Sequence, residues 1–333
     1  MNDPFLAEIK KAIADVGAQI DDLMLKVLPR NPDDLLCEMI WHHLDSGGKR
    51  VRPALCLLTC KALGGNPDHA IYFALAIEIL HNMFLVHDDI EDGDEVRRDR
   101  PTVWVKYGVP NAVNAGDYLL AKGPEIILQS PVDAEAKLKL LHVFSLTCRT
   151  TIEGQALDIN SRADVNFTIA KYLHMVRKKT GCYLACGLVG GAIVAGADEA
   201  VIDALWKLGD NMGPAFQIRD DVIDLTLGKG RGGELGCDIR EGKASILYAH
   251  ALENAPTGDA ARLCAIMRKP RAETTQEDVK WVVALYKRCG SLDYASEYAD
   301  RLVQDAYAVI DSLPISNKEF FKQLARFMAE RKS

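Results

Sequence analysis

Apolar residues recur at intervals of three and four along most of the chain, and this spacing predicts helices. Between residues 4 and 28 the repeat runs Phe5, Ile9, Ile13, Val16, Ile20 and Leu23, with charged residues between. Residues 70–92 read as a long apolar helix that turns acidic at its end. The same pattern predicts helices over 133–162, 168–196, 199–226, 243–254, 276–290 and 292–313. The nearest approach to a strand is Val103-Trp104-Val105, which is short. Breaks are brief: Ser46-Gly47-Gly48, Gly64-Gly65-Asn66-Pro67, Gly108-Val109-Pro110 and Leu313-Pro314. None has the composition of a flexible interdomain linker. Residues 228–242, with Gly at 228, 230, 232, 233, 236 and 242, read as a mobile loop within the domain. The pattern predicts an all-α fold, one large helical bundle forming a single domain over 1–333.

Composition adds limits on function. Of 333 residues, 48% are hydrophobic and 26% charged, as in an ordinary soluble protein. The net charge of −7 argues against nucleic acid, which wants a basic face. It leaves room for a phosphorylated ligand held by a few local cations. The N-terminus shows no secretory signal, and no uncharged apolar stretch reaches about 18 residues, so no membrane span is expected. Nine cysteines, an odd count without a small-scaffold pattern, fit reduced thiols and a cytoplasmic protein. Cys56/Cys60 and Cys182/Cys186 repeat at i, i+4, but no zinc-type partner pair follows, and packing is the better account.

Two acidic clusters change the picture. Asp88, Asp89 and Asp92 close the apolar run His81-Asn82-Met83-Phe84-Leu85-Val86-His87, and Asp220, Asp221 and Asp224 sit within Phe216-Gln217-Ile218-Arg219 and Val222-Ile223. In each cluster the first and last aspartates are four apart and share a helical face. Like charges so placed repel, and their apolar flanks turn these faces inward, where unpaired carboxylates are costly. A hard cation resolves both problems. Magnesium takes oxygen ligands, typically one or two carboxylates plus substrate phosphates. One such cluster could be a solvated acidic face; two of the same form argue for metal.

Cations for phosphate oxygens are present too. Gly47-Gly48-Lys49-Arg50-Val51-Arg52 pairs glycines, which let backbone approach a ligand, with Lys49 and Arg52. Arg97-Arg98 follow the first cluster, and Arg suits forked recognition of phosphate. Lys179-Thr180 and Lys243 are further candidates. Each alone could be a surface charge, and His81, on the face of Asp88, could be a satisfied helix histidine. Gly228-Lys229-Gly230-Arg231-Gly232-Gly233 lacks the Gly-Lys-Ser/Thr ending of a nucleotide loop and follows a helix. A mobile lid over phosphates is the better reading.

These residues resemble the trans-isoprenyl diphosphate synthases (polyprenyl synthetases) along most of the chain. The shared motifs are Gly47-Gly48-Lys49-Arg50-x-Arg52-Pro53, Glu78-x-x-His81, Asp88-Asp89-x-x-Asp92, Arg97-Arg98-x-x-Pro101-Thr102 and Asn114-Ala115-Gly116-Asp117. Gly154-Gln155-x-x-Asp158, Lys179-Thr180, Phe216-Gln217-x-x-Asp220-Asp221-x-x-Asp224 and Gly236-x-Asp238-Ile239-x-Glu241-Gly242-Lys243 follow in the family's order. The resemblance implies an isoprenoid-synthase bundle around a central cavity, usually a homodimer. It implies magnesium, three ions, held by Asp88, Asp92 and Asp220, with Asp89, Asp221 and Asp224 in support. Arg97, Lys179, Gln217 and Lys243, with Thr180 nearby, would bind the allylic diphosphate. Gly48, Lys49, Arg52, His81 and Arg98 would bind isopentenyl diphosphate. Asp88, Asp92, Asp220, Lys179 and Lys243 would carry the catalysis. Two departures stand out: Asp99 where glycine is usual, and Trp104 where histidine is common.

The implied reaction ionises an allylic diphosphate (dimethylallyl, geranyl or farnesyl), adds the double bond of isopentenyl diphosphate, and loses a proton. Bulk at Met83 and Phe84, one turn from Asp88, limits chain length in the family. One aromatic and one Met suggest a short product, with twenty-carbon geranylgeranyl diphosphate favoured over fifteen-carbon farnesyl diphosphate. A class I terpene cyclase shares the fold and first motif but usually replaces the second. A non-catalytic partner subunit typically loses aspartates that are intact here.

Overall fold

The computed structural model describes residues 4–162, 164–226 and 235–329. The glycine-rich stretch at 228–233, read above as a lid, lies outside them. Among the described residues the chain is all-α apart from one two-stranded hairpin. Its helices are α1 (Pro4–Val27), α2 (Leu35–Leu44), α3 (Val51–Ala62), α4 (Pro67–Glu91), α5 (Val103–Tyr107), α6 (Val109–Leu128), α7 (Ala134–Ser161) and α8 (Ile169–Val176). A π-helical turn (Arg177–Gly181) leads into α9 (Cys182–Val194) and α10 (Glu199–Thr226). Then come α11 (Cys237–Arg240), α12 (Ile246–Asn254), α13 (Thr257–Met267), α14 (Gln276–Arg288), α15 (Ser291–Ser312) and α16 (Lys318–Ala329).

The described residues divide into two compact units: those within 1–148, 185–206 and 313–320 form the first, and those within 149–184, 207–312 and 321–333 the second. The first is built on α4. Asn66 caps this helix by accepting from the Asp68 amide, and Pro67 occupies its first turn. From Phe73 to Leu80 its side chains are almost wholly buried, as expected of a helix apolar on all sides. Among the described residues it alone is long and apolar enough to cross a membrane, but 72% of that window is buried, the mark of a core helix. Small residues set its neighbours' distance: a Cβ on Gly190 would fall 2.0 Å from the Phe73 ring, and one on Gly191 would fall 2.2 Å from the Cys56 carbonyl oxygen. Cys56, Cys60 and Cys186 are buried thiols outside any disulfide, as packing residues are.

The second unit's core gathers Tyr172, Ile218, Tyr248, Leu263, Val282, Leu285 and Tyr286. Thr275 and Asp278 form a reciprocal capping box on α14, and Ser245 caps α12.

Val103-Trp104-Val105, the nearest approach to a strand in the sequence, is helical and opens α5, while the hairpin pairs Val96–Arg97 with Arg100–Pro101. Strands of two residues carry too little alternation to be legible. The helix predicted over 168–196 is broken by the π turn, which leaves the apolar periodicity on either side intact.

Candidate active site

In the first unit, Asp88 lies in the last turn of α4 and Asp92 is its C-cap. In the second, Asp220, Asp221 and Asp224 occupy the closing turns of α10. Both clusters therefore sit at the negative end of a helix dipole, where carboxylates are disfavoured, and neither last turn carries a basic residue. Such ends call for a cation, and an oxygen-only donor set suits a hard divalent one. Among the described residues, no three His, Cys, Asp or Glu side chains converge to hold a metal by themselves.

The middle aspartate of each cluster has a supporting geometry. Asp89 is 1% exposed and accepts from Arg97 through Nε at 2.7 Å and Nη2 at 2.6 Å. Asp221, 2% exposed, accepts from the Tyr172 hydroxyl at 2.8 Å and the Gln217 amide at 3.0 Å, with Lys243 Nζ at 3.7 Å. Asp224 is fully buried and accepts the Asp238 amide at 3.1 Å. It thereby holds the start of α11, the segment that delivers Lys243.

A basic group surrounds His81 in the first unit. Burial first, then the charges of Arg52 and Arg98, neighbouring His43, and Arg97 hold its imidazole well below the usual histidine range. His43, buried beside the same arginines, is pushed down to about 3. Both rings are therefore neutral at physiological pH, and the positive charge resides on the guanidinium groups. A Cβ on Gly48 would lie 3.4 Å from two nitrogens of Arg98, so this glycine lets backbone lie against that guanidinium. Lys49 is exposed in the same loop. Met83 and Phe84 are buried on α4, 2% and 9% exposed. His87 lies over Gly116, where a Cβ would fall 2.1 Å from its ring.

The hairpin explains the departure at residue 99. Arg98 (φ 50°) and Asp99 (φ 61°) are its central turn residues, both left-handed. A two-residue turn of this type favours glycine at its second position. Arg98 accepts the strain, and its Nη1 donates to Ser46 Oγ at 3.3 Å. We expect Asp99→Gly to stabilise the protein by about 0.5–1 kcal/mol, a small rise in midpoint in a thermal melt. A fall would mean that the Asp99 side chain supports the turn. Trp104, the other departure, donates to the Asp94 carbonyl at 2.8 Å and ties down the loop after α4.

In the second unit the π turn is held by two glycines. A Cβ on Gly154 would fall 2.4 Å from the Lys179 amide nitrogen, and one on Gly213 would fall 2.3 Å from Gly181 Cα. Lys179 donates to Asp158 at 2.6 Å, and Thr180 is buried beside it. Burial alone would raise Asp158, but Lys179 and Lys243 hold it below the usual carboxylate range. Lys243 is the converse. Burial opposes its charge, and Asp238, Asp221, Asp158 and Asp220 overcome that and push it well up. Gln217 spends its amide on Asp221. Sequence reasoning quoted Asp158 only within a motif and missed Tyr172 altogether, because a tyrosine at an apolar helical position looks like core.

The polyprenyl synthetase family profile matches residues 33–286. The chain belongs to that family. It is 35% identical over 330 residues to the geranylgeranyl diphosphate synthase of Methanosarcina mazei, covering 97% of each chain. A geranylfarnesyl diphosphate synthase of Natronomonas pharaonis is 30% identical, with 97% of this chain and 98% of that one covered. Among solved structures, the geranylgeranyl pyrophosphate synthetase of Pyrococcus horikoshii superposes with a TM-score of 0.89 at 37% identity, covering 98% of this synthetase and 100% of that chain. The all-α fold is the one these relatives share.

Proposed function

We propose that this synthetase is a magnesium-dependent prenyltransferase that joins isopentenyl diphosphate to an allylic diphosphate and ends at twenty-carbon geranylgeranyl diphosphate. The observation that carries this reading is the pair of carboxylate sets at helix ends without a basic residue in the last turn, each in a unit that also holds buried or half-buried arginine or lysine side chains. Asp88, Asp92 and Asp220 would hold the metal, three ions in all, and Asp89, Asp221 and Asp224 would brace their surroundings. A divalent metal held by these carboxylates would supply positive charge to the leaving diphosphate and so favour ionisation of the allylic C–O bond. Arg97, Lys179, Gln217 and Lys243, with Thr180 beside them, grip the allylic diphosphate. Gly48, Lys49, Arg52, His81 and Arg98 grip isopentenyl diphosphate. The protein's task is to hold two anions close and keep water from the cation. Among the described residues no side chain is an obvious base for the final proton, and the released diphosphate would serve. We further read the chain as one synthase domain over 1–333, cytoplasmic and homodimeric.

The test is incubation of purified protein with magnesium, labelled isopentenyl diphosphate and each allylic primer in turn, with product length read after dephosphorylation. A magnesium-dependent twenty-carbon product is expected. No incorporation with any primer would overturn the reading in favour of a cyclase or a partner subunit.

Product length has its own test. Phe84 is buried one turn before Asp88 on the same face of α4. Truncating its ring opens a depth of about one helical turn, ~5.4 Å. Phe84→Ala should therefore shift the main product to twenty-five carbons or more and make geranylgeranyl diphosphate a usable primer. An unchanged product would place the floor on another residue.

A further inference from the structure

Tyr172 lies on α8 and is 1% exposed, yet its hydroxyl does not serve the core around it. It reaches Asp221, 49 residues away in sequence, and donates to Oδ2 at 2.8 Å. The other oxygen, Oδ1, accepts from Gln217 at 3.0 Å and faces Lys243 at 3.7 Å. Asp221 is buried, so its charge is poorly screened by water and its orientation matters to both neighbours. Gln217 and Lys243 are two of the groups read above as gripping the allylic diphosphate.

Resting on that functional reading, we propose that Tyr172 is a positioning residue for the allylic diphosphate. By binding Oδ2 it fixes the rotation of the Asp221 carboxylate, so that Oδ1 presents to Gln217 and Lys243. Asp221 and Lys243 line the same small pocket, with Asp238, Ile239, Ser245 and Tyr286 among its other walls. Without the tyrosine hydroxyl the carboxylate rotates toward Lys243 and closes the 3.7 Å gap into a direct ion pair. Lys243 is then drawn off the diphosphate, and the Gln217 amide loses its partner.

Tyr172→Phe removes one oxygen and keeps the ring that packs in the core. A charge-assisted hydrogen bond is lost, and we expect KM for geranyl diphosphate to rise about tenfold while KM for isopentenyl diphosphate moves less than about twofold. A purely structural defect would move both together. Calorimetric titration of geranyl diphosphate with magnesium into wild type and variant reads the same effect without turnover. In a Lys243→Met background, Tyr172→Phe should add little to the allylic KM, since the two act through one carboxylate. Equal changes in both KM values, full additivity in the double variant, or unaltered binding would each overturn the assignment while leaving the prenyltransferase reading in place. A wild-type protein that neither binds geranyl diphosphate nor incorporates isopentenyl diphosphate would overturn that reading, and the role of Tyr172 with it.

Discussion

Asp88→Asn should abolish isopentenyl diphosphate incorporation, with kcat/KM lower by about a thousandfold or more, and should leave the metal-free protein as stable as before or slightly more so. Activity falls because the amide removes an anionic metal ligand. Metal stabilisation of the departing charge is worth several kcal/mol, and each 1.36 kcal/mol is a factor of ten. Stability moves the other way because Asp88 lies in the last turn of α4 with Glu91 and Asp92 beside it and no basic residue in that turn. Removing one negative charge from that end relieves about 0.3–1 kcal/mol of unfavourable dipole interaction. Steady-state kinetics with labelled isopentenyl diphosphate and thermal unfolding by circular dichroism, both on the same preparation, provide the check. The opposed signs identify the residue as functional. Loss of activity accompanied by a lower melting temperature would make Asp88 structural, and full activity would remove the α4 cluster from the metal site.

This opposition of charge and helix end was legible in the sequence only in part. The i, i+4 spacing of Asp88 and Asp92, and of Asp220 and Asp224, put each pair on one face of a helix between apolar flanks. That reading needs only helical periodicity, and the structure keeps it. What the spacing could not give was the division of labour inside each cluster. The family resemblance put Asp89 and Asp221 in support of the metal, but not their partners: Arg97 on a hairpin bonds one and Tyr172 on α8 bonds the other. Both contacts are tertiary and leave no local pattern. The hairpin itself was illegible because its two strands are too short to alternate. Its turn left a trace in the departure at Asp99, since a residue standing where glycine is usual implies a left-handed backbone. The π turn was invisible for a different reason. It inserts between two helices without disturbing their apolar repeat, and only Gly154 and Gly213, crowded against it, betray its position.

The other large effect concerns stability. Glu78→Ala should lower the unfolding free energy by about 3–5 kcal/mol, a large share of the roughly 5–15 kcal/mol that holds a protein folded. Glu78 is 2% exposed on α4, and its Oε1 accepts from Arg50 Nη1 at 2.7 Å. Arg50 is 7% exposed and left-handed at φ 50°. Burial works against its charge, but Glu78 first and Asp21 second more than compensate and push it up. Asp21 is half-exposed, and its bond at 3.0 Å to Arg50 Nε survives the substitution, so the loss belongs at the lower end of that range. The consequence should reach the phosphate loop. A Cβ on Gly48 would lie 2.8 Å from Arg50 Nη1, so the guanidinium that Glu78 anchors also supports the backbone presenting Gly48 and Lys49. We therefore expect a melting temperature lower by roughly 6–12 °C, together with a raised KM for isopentenyl diphosphate in the protein that remains folded. Pairing Arg50→Met with Glu78→Leu should recover much of the stability, because replacing a buried ion pair by packed apolar groups is often neutral or better, yet should leave KM raised. If the double variant recovered both, Arg50 would be a core residue with no part in the loop. If Glu78→Ala melted within a degree of wild type, the pair would contribute nothing beyond what Asp21 and solvent already supply.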